Sequence, residues 1–138
     1  MNISYKSLLS VACALLAACS GARPYAALPI EDDAELVANV VVTDRDLRER
    51  VRVGRAGVTR VEGSGQLKVV VPIRNVWEET LQLRVQTSFL DAERRPLGDD
   101  TNQQVEILSP GATRNFVVTS TTSDARDWTM RLLPNSRS

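Results

Sequence analysis

Apolar and polar residues alternate along several short stretches of this chain, which is the pattern of half-buried β-strands. The two clearest examples are Leu67–Ile73 and Leu81–Phe89, in which every second residue is apolar. The stretch Val37–Thr43 is rich in β-branched residues and also predicts a strand. Shorter candidates surround Val51, Val53, Val58, Val61, Leu108, Phe116, Val118, Trp128, Met130 and Leu132. A helical period is almost absent.

Turn signals separate these stretches at intervals of about 8–12 residues, a spacing typical of all-β sandwiches. Gly63-Ser64-Gly65 and Pro110-Gly111 are two of them. The sequence therefore predicts an all-β fold, namely an antiparallel immunoglobulin-like β-sandwich of about seven short strands. Pro72 has no amide donor, which predicts that its strand lies at a sheet edge or is bulged there. The charged stretch Asp44–Arg50 predicts a connection, with one helical turn as an alternative.

The apolar run Leu8–Ala18 is the second marked feature, and Lys6 precedes it. A charged start, a short apolar centre and small residues before a cleavage point indicate a secretory signal peptide. The run is much shorter than the about 20 apolar residues of a membrane-spanning helix. Because Cys19 directly follows Leu16-Ala17-Ala18, the segment resembles the signal of bacterial lipoproteins. That resemblance implies cleavage before Cys19, acyl chains such as palmitate on this residue and, with Ser20 in the next position, sorting to the outer membrane.

These features divide the chain into four parts. Residues 1–18 are predicted to be the signal peptide and residues 19–35 the lipidated N-terminus with a flexible tether. Residues 36–134 are predicted to form the β-sandwich, and residues 135–138 a disordered C-terminal tail. The tether assignment rests on two prolines, a glycine and the acidic cluster Glu31-Asp32-Asp33.

Composition narrows the possible chemistry. The chain contains no histidine, and its two cysteines are Cys13 in the signal and Cys19 at the lipid site. Schemes that pair a Ser or Cys nucleophile with His are therefore excluded, and the best transition-metal ligands are missing. Removing Lys6 from the 17 basic residues leaves 16, against 17 acidic ones, which gives no basis for nucleic-acid binding. We expect no enzymatic activity, cofactor or metal; a carboxylate-based enzyme acting on peptidoglycan is a third hypothesis.

The order of landmarks along the mature chain is also informative. An arginine-containing strand ends in Asn75, Leu81–Phe89 closes on Asp91, and Leu108-Ser109-Pro110-Gly111 precedes another strand and the final Trp128–Leu133 segment. Together with the lipoprotein signal, this order resembles the YcfL family of small Gram-negative envelope lipoproteins. The segment after Asp91 departs from that family because it lacks the glycine that usually follows the aspartate. The resemblance implies a sandwich fold and an outer-membrane address, and no established biochemical activity.

Six arginines lie within sixteen residues and form the densest charge feature of the chain. They are Arg45, Arg48, Arg50, Arg52, Arg55 and Arg60. One interpretation is a patch that docks on anionic partners, such as lipopolysaccharide phosphates or acidic protein surfaces. The other, more usual for a charge run, is a solvated face whose charges pair with the acids Asp44, Asp46 and Glu49. Trp77 is either an exposed anchor for a partner or a plug at one end of the sandwich.

Other polar candidates receive structural interpretations. Asn75 and Asp91 lie at predicted strand ends, where such side chains cap turns by hydrogen bonding to nearby backbone. We expect that role for both rather than catalysis. Arg94-Arg95 lies at a hairpin tip, where polar residues are normal.

The leading hypothesis is a non-catalytic interaction or assembly module, anchored by lipid to the periplasmic face of the outer membrane. Its partners would be the membrane, through the lipid, and another envelope protein, with no nucleic acid. The alternative is a carrier that binds a lipid or a glycan between its sheets. An aromatic fraction of only 4% speaks against the carrier.

Overall fold

The computed structural model describes residues 24–98 and 103–135, and shows that this part of the chain is almost entirely β-structure. The predicted signal peptide, the lipid site Cys19 and residues 136–138 of the predicted tail lie outside these residues. The strands are β1 (Tyr25–Ala26), β2 (Val40–Val42), β3 (Val51–Val53), β4 (Gly57–Arg60), β5 (Leu67–Asn75), β6 (Leu81–Leu90), β7 (Gln104–Leu108), β8 (Thr113–Thr119) and β9 (Asp127–Pro134). A 3-10 helix covers Ala34–Val37, and helix α1 covers Arg45–Arg50.

The strands form two sheets that pack as a sandwich, which confirms the all-β prediction. The five-stranded sheet has the order β1-β2-β9-β6-β7. In the four-stranded sheet β5 is central, with β8 on one side and both β3 and β4, one after the other, on the opposite side. The described residues form nine strands rather than about seven, because the short β1 escapes the sequence pattern and residues 51–60 form two strands.

One strand pair differs from the antiparallel prediction. Strand β2 runs parallel to β9, with Val40 opposite Met130 and Val42 opposite Leu132. Parallel neighbours need a long connection, and here almost the whole domain lies between the two strands. The sandwich is therefore mixed at this pair and antiparallel at the other strand pairs of the described residues.

Alternation along the strands places one row of side chains in the core. In β6 every second residue from Leu81 to Phe89 is buried, and in β9 Trp128, Met130 and Leu132 are buried. Phe89 lies opposite Trp128 in the β6–β9 pair. Burial of these large side chains supplies the main stabilisation, at about 1.5–3 kcal/mol for each one fully buried. Phe116 is buried with them, so these three aromatic side chains are part of the core.

Pro72 lies in the central strand β5, so its predicted edge position is wrong. The carbonyl of Pro72 accepts a hydrogen bond from the amide of Gly54, at 2.9 Å, in the gap between β3 and β4. The amide that proline lacks would point into the same gap, because both polar groups of a strand residue face the same neighbour. The break between β3 and β4 therefore lets a proline occupy the middle of a sheet.

The predicted tether also needs correction, because its second half belongs to the sandwich. Tyr25 pairs with Val42 in the five-stranded sheet, and Pro29 forms a bridge to Val53 in the four-stranded sheet. Ala27, between these points, is buried. Residues 25–30 thus pass from one sheet to the other and cover one side of the core. The two prolines and the following acidic residues give this part of the sequence no strand pattern, so its pairing with the sheets could not be predicted.

Candidate functional site

The arginine-rich stretch begins with helix α1, at one end of the sandwich. Asp44 caps the helix by accepting a hydrogen bond from the amide of Leu47, at 3.0 Å, and Leu47 is buried. Arg45 is exposed in the first turn. The Nε of Arg48 donates to the carbonyl of Ala26 at 2.7 Å, so this arginine fastens the helix to β1. Its role in the structure is to hold an edge strand.

Arg50 and Trp77 come together, although 26 residues separate them in sequence. The guanidinium carbon of Arg50 lies 3.9 Å from the centre of the Trp77 ring, within the range of a cation–π contact. The amide of Trp77 donates to the side-chain oxygen of Asn75 at 2.8 Å, which fixes the turn that presents the ring. A shallow groove of about 310 Å³ beside them is lined also by Asp44, Leu47, Gln82 and Pro134.

This groove lies where several strands begin or end. Strand β5 ends there at Asn75 and β9 at Pro134, and β6 begins there at Leu81. We call this end of the sandwich, marked by Asn75, Leu81 and Pro134, the near end. Trp77 is half-buried and packs against the core. It covers the core at this end and keeps part of its ring at the surface, and its role as an anchor for a partner stays a prediction.

The next arginine, Arg52, lies on a different surface. In the β3–β5 pair Arg52 lies directly opposite Arg74, on the outer face of the four-stranded sheet. Arg52 donates to the carbonyl of Val51 at 2.8 Å and to that of Glu49 at 3.1 Å. Arg74 donates to the hydroxyl of Thr113 at 2.8 Å. Both guanidinium groups are thus positioned by uncharged acceptors rather than by carboxylates.

The outer face of the four-stranded sheet carries no acidic side chain on its strands. Its outward positions are Arg52, Gly57, Thr59, Lys68, Val70, Pro72, Arg74, Thr113, Asn115, Val117 and Thr119. Arg52, Lys68 and Arg74, which we name the basic face, make no ion pair within the part of the chain that the structure describes. Sequence reasoning missed Arg74 and Lys68; their alternation with buried valines in β5 was the available signal.

The remaining arginines of the stretch separate further. Arg55 is exposed in the link between β3 and β4. Arg60 donates to the backbone carbonyls of Gly65, at 2.9 Å, of Ser123, at 3.3 Å, and of Ala125. These contacts tie β4 to the segment that precedes β9. The six arginines therefore do not form one patch.

Asn75 and Asp91 cap turns, as predicted. The side chain of Asn75 donates to the carbonyls of Glu79, at 2.8 Å, and Leu108, at 3.0 Å, in addition to accepting from Trp77. The carboxylate of Asp91 accepts from the amides of Glu93 and Arg95, each at 2.9 Å. The hydrogen bond from the Arg95 amide is the main cause that holds the pKa of Asp91 below its usual range.

The space between the sheets does not form a ligand cavity where their edges meet. Edge strands β7 and β8 are joined there by an ion pair between Glu106 and Arg114, with atoms 3.3 Å apart. The apolar crevice beneath it, lined also by Ile73, Leu108 and Phe116, has a volume of about 10 Å³. A single water molecule needs roughly 10–15 Å³ by this kind of measure. A lipid or glycan could enter at this edge only if the sheets separated.

Two further properties limit the chemistry of the described residues. Within residues 24–98 and 103–135, no group of three or more metal-ligating side chains of the His, Cys, Asp or Glu type comes together. Over the same residues, no helix has the length and apolarity needed to cross a bilayer. The arrangement that does stand out is a surface that can bind, formed by the basic face on one side and the Arg50–Trp77 contact at the near end.

The fold and these surfaces define a small β-sandwich protein with an arginine-bearing outer sheet. Its backbone is similar to the crystal structure of Cj0090 from Campylobacter jejuni, with a TM-score of 0.59 and 14% identity, over 70% of this chain and 98% of that one. It is also similar to a DUF1425 family member from Shewanella sp. pv-4, with a TM-score of 0.56 and 13% identity, over 64% of this chain and 80% of that one. No family model and no curated protein matches the sequence. At these identities the likeness shows a shared fold of small bacterial proteins.

Proposed function

We propose that this protein is a non-catalytic interaction module, anchored through lipid on Cys19 to the periplasmic face of the outer membrane. The proposal includes the YcfL-like relationship, which the fold of the DUF1425 family member supports at the level of architecture. The observation that carries the interaction role is the basic face. There Arg52 and Arg74 lie opposite each other without an acidic neighbour on the strands of the sheet.

Like charges directly opposite in a sheet are destabilising. An arrangement of this kind is therefore explained better by binding than by folding. A guanidinium group has donors in a planar fork, which matches the two oxygens of a carboxylate. We accordingly propose an acidic surface of another envelope protein as the partner. Arg55, exposed beside this face, belongs to the same binding surface.

The non-catalytic part of the proposal rests on the available side chains. The chain has no histidine, and within the described residues the carboxylates lie mainly in α1, in loops and in turns. On the strands only Glu106 and Asp127 are acidic, and these contact Arg114 and Arg94 respectively. No described pair of carboxylates faces a substrate-sized cavity between the sheets.

A charge-reversal comparison tests the interaction role. Arg74→Glu places a negative charge on the basic face, whereas Arg131→Glu makes the same change at an exposed position of β9 in the other sheet. In crosslinked envelopes, we expect Arg74→Glu to lose the partner recovered with the wild-type protein and Arg131→Glu to retain it. Equal recovery with both variants would contradict the assignment of the basic face.

The anchor needs its own test. Cys19→Ala should abolish metabolic labelling with fatty acid and release the protein from the outer-membrane fraction. The wild-type protein should be labelled and retained. If both forms are unlabelled and fractionate as soluble periplasmic proteins, the lipoprotein part of the proposal is wrong, whatever the basic face binds.

A further inference from the structure

The groove at the near end, beside the contact between Arg50 and Trp77, has the composition of a small-ligand site. Its volume of about 310 Å³ lies at the lower limit of the about 300–1,000 Å³ that is usual for ligand pockets. Four apolar or aromatic side chains line it, namely Leu47, Trp77, Leu81 and Pro134. The charged residues of the lining are one acid and one base, Asp44 and Arg50. An apolar surface with a few polar groups is typical of sites that orient a small molecule.

The guanidinium group of Arg50 is held in place while its donors remain available. The side chain is half-buried, and its guanidinium carbon lies 3.9 Å from the centre of the Trp77 ring. Within the described residues it makes no hydrogen bond and no ion pair. A cation–π contact uses the face of the guanidinium plane, whereas the N–H donors lie at its edge. Arg50 is thus positioned to bind a carboxylate through the planar fork of its donors.

Asp44 supplies the opposite charge on another side of the same groove. Its Oδ2 accepts a hydrogen bond from the amide of Leu47 at 3.0 Å, which fixes the carboxylate as the cap of α1 and leaves Oδ1 available. No ion pair joins Asp44 to Arg50 in the part of the chain that the structure describes, so their charged atoms are more than 4.0 Å apart. Because separate contacts hold the two side chains, a space between opposite charges remains.

The charges of the near end are nearly balanced, so they favour a ligand that carries both signs. The segments that form most of this end, residues 44–52 and 74–84, contain six basic and five acidic residues. A simple anion in the groove would meet the carboxylate of Asp44, and a simple cation would meet the guanidinium group of Arg50. A zwitterion places each of its charges against the opposite one.

We propose that this groove binds a free α-amino acid with an apolar side chain. The guanidinium group of Arg50 binds its carboxylate, and Asp44 accepts a hydrogen bond from its ammonium group. The apolar side chain of the ligand packs on Leu47, Leu81 and Pro134. This proposal is independent of the lipid anchor and of the basic face, because neither contributes a residue to the lining of the groove.

Isothermal titration calorimetry of the full-length protein tests the class of ligand, with L-leucine as the probe. Leucinamide lacks the carboxylate and N-acetylleucine lacks the ammonium group, so each imitates one end of a peptide. We expect saturable binding of leucine and at least about tenfold weaker binding of both derivatives, because each loses a charge-assisted contact. Absence of saturable leucine binding up to about 10 mM, or equally tight binding of either derivative, would overturn the proposal.

Two substitutions test the site itself, and a third is the control. Arg50→Met retains an apolar stem over Trp77 without the charge, and Asp44→Ser removes the carboxylate but keeps a good helix cap. Both should weaken leucine binding by at least about tenfold. Arg45→Met removes an exposed arginine from the same helix and should bind leucine as tightly as the wild type. Unchanged leucine binding in both Arg50→Met and Asp44→Ser would place the ligand elsewhere and overturn the assignment of the groove.

Discussion

Replacement of Asn75 by alanine should destabilise the sandwich far more than loss of an ordinary surface amide. Asn75 is fully buried, with 0% exposure, and its side chain makes three hydrogen bonds to backbone groups of Trp77, Glu79 and Leu108. These bonds join the turn after β5 to the end of β7. The side chain thereby links the two sheets at the near end.

The magnitude follows from the partners left behind. A net hydrogen bond contributes about 1 kcal/mol, whereas an orphaned buried polar group costs about 1–3 kcal/mol. The carbonyl of Leu108 is the buried partner, while water can reach the more open Trp77 and Glu79 groups. Two ordinary losses and one orphaned carbonyl give about 3–5 kcal/mol. That is a large share of the about 5–15 kcal/mol by which a domain is stable.

Urea unfolding followed by the fluorescence of the buried Trp128 measures this loss. Asn115→Ala is the matched control, because Asn115 is exposed on the outer face of β8. Asn75→Asp should also be strongly destabilising, since a carboxylate cannot donate to the two carbonyls that the amide serves. If Asn75→Ala unfolds within about 1 kcal/mol of Asn115→Ala, the three bonds do not hold the near end together and the reasoning fails.

Two further predictions concern a titrating turn and a crowded glycine. The hydrogen bond from the Arg95 amide is the main cause that lowers the pKa of Asp91 in the folded state. The ionised carboxylate therefore stabilises the fold above the unfolded pKa of about 3.9, and this stabilisation is lost as the pH falls through the folded pKa. The stability difference between the wild type and Asp91→Asn should accordingly shrink below about pH 4 in urea unfolding at a series of pH values, and a constant difference would argue against it. Gly54→Ala would place a Cβ 3.1 Å from the ring of Pro72 and should lower the unfolding free energy by about 1–2 kcal/mol. At Gly57 the added Cβ has no atom within 4 Å, so Gly57→Ala should leave the unfolding free energy unchanged in the same urea or thermal measurement. Equal unfolding free energies for the two variants would show that the Pro72 ring moves aside without cost.

Strands with strict alternation could be predicted from the sequence, because burial of one face requires an apolar residue at every second position. Strands β5 and β6 show this alternation. The caps Asn75 and Asp91 could also be predicted, because each accepts a hydrogen bond from an amide two residues later. Strand β1 has only two residues, and its pairing with β2 depends on a partner found by tertiary contact. The central position of Pro72 likewise depends on a break between two other strands, which no local pattern reports.

The proposed binding surface could be predicted only in part, for a geometric reason. Successive residues rotate by about 100° in a helix and by 180° in a strand. Arginines that are close in sequence therefore diverge once α1 passes directly into β3 after Arg50. Arg50 turns to Trp77, while Arg52 turns to the outer face and meets Arg74, 22 positions later. The register between strands determines which residues lie opposite each other, and this register cannot be read from the sequence alone.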